Sequence, residues 1–236
     1  MDMPNLTQRS RLFLISPATA HGPRAQALRR QDSGSLLARR LRAEGVPLGD
    51  VFSFLSGLYF RGKLEYARAF AHAPGDEAGG VYIITMTDGI VSSDTRVSSH
   101  DLERYARCEV GTPAAVAMLE ATTRSLAERM GALADIVLLG SVGTGKYTDL
   151  LAPVFGERLL FPRDVLHIGQ LARGALFLQR AREGKELDYV PVTEIVRAGG
   201  RVSIRPELRP SPEAASKENP SRATPPNRAD ATADFR

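Results

Sequence analysis

Three short apolar runs constrain the fold more than anything else in the chain: RLFLIS at 11–16, VYIITMT at 81–87 and DIVLL at 135–139. Each stops at a turn signal, respectively Pro17, the pair Asp88 and Gly89, and Gly140. Runs this short, without strict alternation of apolar and polar residues, read as strands buried on both faces. The segments between them have helical spacing. At 24–31 and 35–44, Ala and Leu fall on one side and Arg on the other, and 63–71 and 170–182 repeat the pattern. The stretch 113–130 has Pro113 in its first turn and Gly131 just past its end, as helix termini prefer. Two more runs, VFSFLS at 51–56 and ERLLF at 157–161, are further strand candidates. TEIVR and RVSI, flanking Ala198, Gly199 and Gly200, read as a closing hairpin.

Strands alternating with helices predict one α/β domain over 11–204, with a mostly parallel or mixed sheet, helices on both faces and a C-terminal hairpin. From 205 to 236 the sequence is rich in Pro, Ala, Ser and charge, and its only large apolar side chains are Leu208 and Phe235. Such a segment buries too little apolar surface to offset its chain entropy, so a disordered tail is expected.

The single cysteine, Cys108, excludes an intramolecular disulfide, and the four histidines have no zinc-site spacing. No metal and no cofactor is therefore expected. The longest apolar runs are far short of the roughly 18 residues that a membrane span needs. The start, MDMPNLTQRSRLFLIS, has too short an apolar core for a signal peptide. These features predict a soluble protein of the reducing cytoplasm without a membrane partner, and leave the oligomeric state open.

The formal net charge is +4 and its distribution is uneven. Eight arginines lie between positions 9 and 42 against one acid, Asp32. Arg29, Arg30, Arg39, Arg40 and Arg42 form a candidate surface for nucleic-acid phosphates, with a solvated helix face as the plain alternative. Arg61 and Lys63, beside Tyr59 and Phe60 in YFRGK, offer a second place to hold a phosphate and stack a base.

In open α/β sheets, ligands bind beyond the C-terminal strand ends. Those ends carry Ser16, Asp88 and the segment 140–147, GSVGTGKY, which fits GxxxxGK between a strand and a helix. Its amides at Gly140, Ser141, Gly143, Thr144 and Gly145 could cradle a phosphate that Lys146 neutralises. Tyr147 replaces the Ser or Thr whose hydroxyl holds magnesium, and too little chain follows for the remaining strands of a P-loop ATPase. An anion-binding turn and a turn that only packs helix on strand both remain open. Asp88 is a candidate general base or partner of a ribose hydroxyl, with the plain turn it makes with Gly89 as an equal alternative, and Lys146 is the candidate cation at the same edge. Ser16, Tyr59, Tyr147 and Arg173 are candidates for the walls of a strand-end pocket.

The order of several segments resembles one family. LISPA (14–18), GDVFSFLSGLYFR (49–61), YIITMTDGIVSSD (82–94), the turn ending in Lys146 and Tyr147, and IGQLARGALF (168–177) look like the YaaA-like peroxide-stress proteins. They also look like the related domain associated with DNA deazaguanine-inserting transglycosylases. The chain departs from the pattern at Thr19 and Ala20, where a lysine is expected, at Met86 to Ile90, and in its longer glycine turn. The resemblance implies a mixed α/β fold and a role in DNA binding, nucleobase modification or stress response. Two other classes stand beside it: an enzyme acting on a nucleotide or nucleobase, and a protein-interaction module.

Overall fold

The computed structural model describes residues 10–30, 32–73, 79–108 and 111–197. The expected tail and the second arm of the expected hairpin lie outside these residues. The chain is an α/β protein built on a six-stranded mixed sheet. Its centre is β1 (Arg11–Ile15), which pairs in parallel with β3 (Val81–Thr85) on one side and β6 (Asp135–Leu139) on the other. The antiparallel edge strand β4 (Gly89–Ser92) completes one flank. On the other flank, β7 (Leu159–Pro162) runs parallel to β6 and β8 (Tyr189–Pro191) antiparallel to β7. The strands β3 and β6 are buried at every position, and β1 at all but its first, which is why they appear in the sequence as unbroken apolar runs.

From β1 the chain passes through α1 (Pro23–Arg29), α2 (Leu36–Ala43), α3 (Leu48–Ser56) and α4 (Leu58–Phe70) before it reaches β3. A small ladder of β2 (Val46–Pro47) on β5 (Arg96–Val97) ties this excursion to the segment after β4. The return to β6 uses α5 (Ser99–Arg107) and α6 (Pro113–Met130). The first connection runs from β1 to β3 and the second returns from β4 past β1 to β6, in the opposite direction along the sheet; parallel crossovers are right-handed, which puts their helices on opposite faces. After β6 come α7 (Thr148–Phe155), β7, α8 (Gln170–Glu183), β8 and α9 (Val192–Arg197).

Three local expectations are corrected. VFSFLS is helical rather than extended, because Leu48, Val51, Phe52 and Leu55 recur at the spacing of one helix face and bury together. Gly57, at φ +66°, ends α3 and admits α4 directly. The segment 193–197, TEIVR, lies in α9 and is no hairpin arm; Val192 and Ile195 turn one helical face to the core. The polar-looking stretch after β3 holds two elements: β4, reached through the turn at Asp88 and Gly89, and α5, opened by a capping box between Ser98 and Asp101.

The closest helix contact is between α4 and α8. A Cβ on Gly62 would lie 2.3 Å from the Gly174 carbonyl oxygen, and one on Gly174 would lie 2.8 Å from that of Leu58. Two glycines thus let the backbones touch, and α4 sits low enough for its inner side chains to reach both ends of β1.

Candidate functional site at the C-terminal strand ends

The direction of the crossovers reverses at β1, and the crevice that α/β sheets use for ligands opens there. A cavity of about 320 Å³ occupies it, near the lower end of the roughly 300–1,000 Å³ usual for small-molecule sites. Its wall after β1 is formed by Pro17 to His21, its wall after β3 by Thr85, Met86 and Thr87, and its wall after β6 by Lys146 and Tyr147. The helices add Phe52 from α3 and Tyr105 from α5, and Cys108 follows α5. Three aromatic side chains, several hydroxyls and one ammonium therefore face a common space.

The Thr87 hydroxyl stands out within this wall. It is buried and has no hydrogen-bond partner among the described residues. Buried polar groups nearly always find a partner, so this hydroxyl, closed off from the open space of the cavity, is an exception within the wall. Tyr147 is buried, which pushes its phenol up to about 12. The Lys146 ammonium lies 5.0 Å from the Tyr147 ring centroid, and burial holds it below its ordinary value.

The glycine turn differs from a phosphate cradle in two respects. Its one left-handed residue is Gly145, at φ +72°, rather than Gly143. A Cβ on Gly145 would meet the Asp149 carboxylate at 2.7 Å, so an acid from the first turn of α7 already lies against the amides. Gly140 packs on Ser16, and of the expected phosphate-binding set (Gly140, Ser141, Gly143, Thr144, Gly145 and Lys146) only Lys146 lines the cavity.

Asp88 is corrected as a general base. Its carboxylate accepts from both terminal nitrogens of Arg104, at 2.9 and 3.0 Å, and from the Tyr105 hydroxyl at 2.8 Å. With three hydrogen bonds accepted, this carboxylate anchors the β3–β4 turn to α5, and Asp88 is not among the residues that line the cavity. The clamp also positions Tyr105, whose phenol burial and Asp88 together push above its ordinary range.

Arg61 and Lys63 do not form one patch, because residues two apart face different sides of a helix. Arg61 is exposed and Lys63 is 1 % exposed. The Lys63 Nζ donates to the Ser16 carbonyl at 2.8 Å and to Ser16 Oγ at 2.7 Å, and lies 4.5 Å from the Tyr59 ring centroid. The buried Arg173 guanidinium nearby is held by the Ile168 and Leu166 carbonyls. Ser16, Tyr59 and Arg173 therefore gather around Lys63, while Tyr147 belongs to the cavity. Burial first, and then the charge of Arg173, lower Lys63 to about 7.

The arginine surface is also partly spent. Arg30 pairs with Asp32, Arg40 with Glu44, and Arg42 donates to the Arg30 and Ser33 carbonyls. The Arg29 and Arg39 side chains make no hydrogen bond or ion pair among the described residues.

Some members of the site were missed in the sequence. Phe52 was hidden by the strand reading of VFSFLS, and Tyr105 and Cys108 by the polar look of their segment. Lys63 had a usable signal, since it shares the spacing of Phe60, Leu64 and Ala67 on the buried face of α4.

Fold and site together define an α/β protein with a small-molecule-sized crevice at the C-terminal edge of its sheet. No family model, curated protein or solved structure matches the chain. Among the described residues no helix is long and apolar enough to cross a membrane, and no group of acidic, histidine or cysteine side chains could hold a metal.

Proposed function

We propose that the crevice binds a planar, anionic small molecule of the nucleotide or nucleobase class. The observation that carries the reading is the lining of the crevice, in which three aromatic side chains meet the Lys146 ammonium. The aromatic side chains Phe52, Tyr105 and Tyr147 offer stacking surface, and Lys146 a charge for a phosphate or an acidic ring. The resemblance of the motif order to YaaA-like proteins accords with a nucleobase-linked role.

Calorimetric titration of the full chain with AMP, GMP, guanine and inorganic phosphate tests the proposal. At least one nucleotide should bind. Lys146→Ala should weaken it about tenfold or more, the worth of one charge-assisted hydrogen bond to a ligand, with little change in melting temperature. Absence of heat with all four ligands would sink the reading.

Association with nucleic acid is a second reading, favoured by Arg29, Arg39 and Arg61, whose side chains have no partner among the described residues. The internal pairing of Arg30, Arg40 and Arg42 leaves it the weaker of the two. It predicts duplex binding whose affinity falls steeply with salt, and replacing Arg29, Arg39 and Arg61 with Gln should flatten that dependence.

A further inference from the structure

We propose that Ser16 and Lys63 form a nucleophile–base pair for acyl transfer at the C-terminal edge of the sheet, with carboxylic esters as its substrate class. A lysine this deeply buried normally has a carboxylate partner. Here none pairs with it among the described residues, and its ammonium nitrogen bonds only to Ser16. The nitrogen lies 4.5 and 5.3 Å from the Tyr59 and Phe60 ring centroids, contacts that favour its charge, but burial and the like charge of Arg173 outweigh them. With its ordinary value brought down to about 7, Lys63 is neutral in much of the population at physiological pH. In that state its lone pair accepts the Ser16 O–H across the same 2.7 Å contact, the arrangement of an activated hydroxyl nucleophile and its base.

Lys63 is 1 % exposed, and the approach to its nitrogen runs past Ser16, which is partly exposed and directly precedes Pro17 in the cavity wall. Gly140 keeps the space beside the nucleophile open, because a Cβ there would come within 3.3 Å of Ser16 Oγ. The first glycine of the GSVGTGKY turn thus has a role that phosphate binding does not require.

The chemistry balances with water as the only co-reactant. Ser16 Oγ bonds to the ester carbonyl carbon while its proton passes to Lys63 Nζ. The carbon–oxygen bond to the alcohol then breaks, and Nζ returns that proton to the departing oxygen. Water next gives a proton to Nζ as its oxygen attacks the acyl carbon, and Ser16 Oγ leaves with the proton, releasing a carboxylic acid. The pair is independent of the nucleotide reading, because it needs only an ester carbonyl within reach of Ser16.

Intact-mass and peptide mapping of the full chain after exposure to 4-nitrophenyl acetate and to a fluorophosphonate is the test. Both reagents should mark Ser16, at a rate that rises as pH passes about 7 and then levels off. Ser16→Ala should abolish the mark. Lys63→Met, shown to be folded by its melting curve, should slow it about 100-fold or more, the range of general-base catalysis. A purely structural lysine would give neither the pH profile nor the slowing. No label on Ser16 in the folded wild type, label on Lys63 instead, or Lys63→Met reacting at the wild-type rate would each overturn the proposal. Calorimetry with nucleotides is a separate measurement, so failure of one reading leaves the other standing.

Discussion

At the N-terminal end of β1, Arg11 meets Glu186, lies over the Tyr189 ring at 5.0 Å and sits 3.8 Å from Asp135, whereas at the other end Lys63 reaches Ser16 with no acid beside it. The first end is a network of paired charges and phenols, in which the buried Arg11 Nε is left without a partner among the described residues. The Leu187 N–H donates to the Tyr66 hydroxyl at 2.8 Å, that hydroxyl lies 2.6 Å from the Tyr189 oxygen, and Tyr189 donates to Glu186 at 2.9 Å. Burial, followed by the oxygens of Tyr66 and Glu186, holds the Tyr189 phenol well above its ordinary range. Charge matched with charge locks a structure in place, and charge left unmatched makes a group sensitive to its protonation state. One helix supplies both ends, since α4 carries Lys63 and Tyr66 a single turn apart on its inner face.

The largest expected effect comes from removing the support the two ends share. Gly62→Val would drive a side chain into the Gly174 backbone and lift α4 from α8, at a cost of about 3 kcal/mol or more. A denaturant titration should show that loss. A variant of wild-type stability would mean that α4 is not held by this contact. Tyr66→Phe comes next and touches only the Arg11 end. It leaves the Leu187 N–H and the Tyr189 hydroxyl short of a partner, which costs about 1–3 kcal/mol by the same measurement.

Lys63→Met addresses the other end and is best read as a slope against pH. Burial lowers the folded-state value of Lys63 to about 7 from its ordinary 10.5, so between these limits the unfolded chain binds more protons than the folded one. Wild-type stability should therefore rise with pH across that window and be lost as pH falls through about 7. Lys63→Met should lack the slope and be relatively most favoured at low pH. Parallel curves for the two proteins would show that Lys63 stays charged, and the contrast between the ends of β1 would fail. The smallest effect on stability belongs to Lys146→Ala at the cavity rim, within about 0.5 kcal/mol by thermal melting. The same change should weaken nucleotide binding, which would separate the rim's role in recognition from the deeper role of Lys63.

The central strands were legible in the sequence because burial on both faces leaves an unbroken apolar run, as at 135–139, that needs no partner to be recognised. Pro113 and Gly131 likewise marked the ends of α6 through local backbone preference alone. VFSFLS failed the same kind of reading because six residues of apolar and small side chains fit either period, and only packing against α4 decides between them. TEIVR failed for that reason too, its β-branched residues being overruled by the burial of Val192 and Ile195.

The site divides along the same line. The sequence by itself determined that Ser16, the β3–β4 turn and the glycine turn would stand at strand ends, since chain direction and hydrophobic run length settle where strands stop. Only the tertiary structure decided which of those groups act together. It engaged Asp88 with Arg104 and Tyr105, set Asp149 against Gly145, and brought Lys63 to Ser16 across 47 positions of chain. Contacts of that separation depend on where α4 packs. Its seat against α8 rests on two glycines whose meeting, Gly62 on Gly174, no local pattern announces.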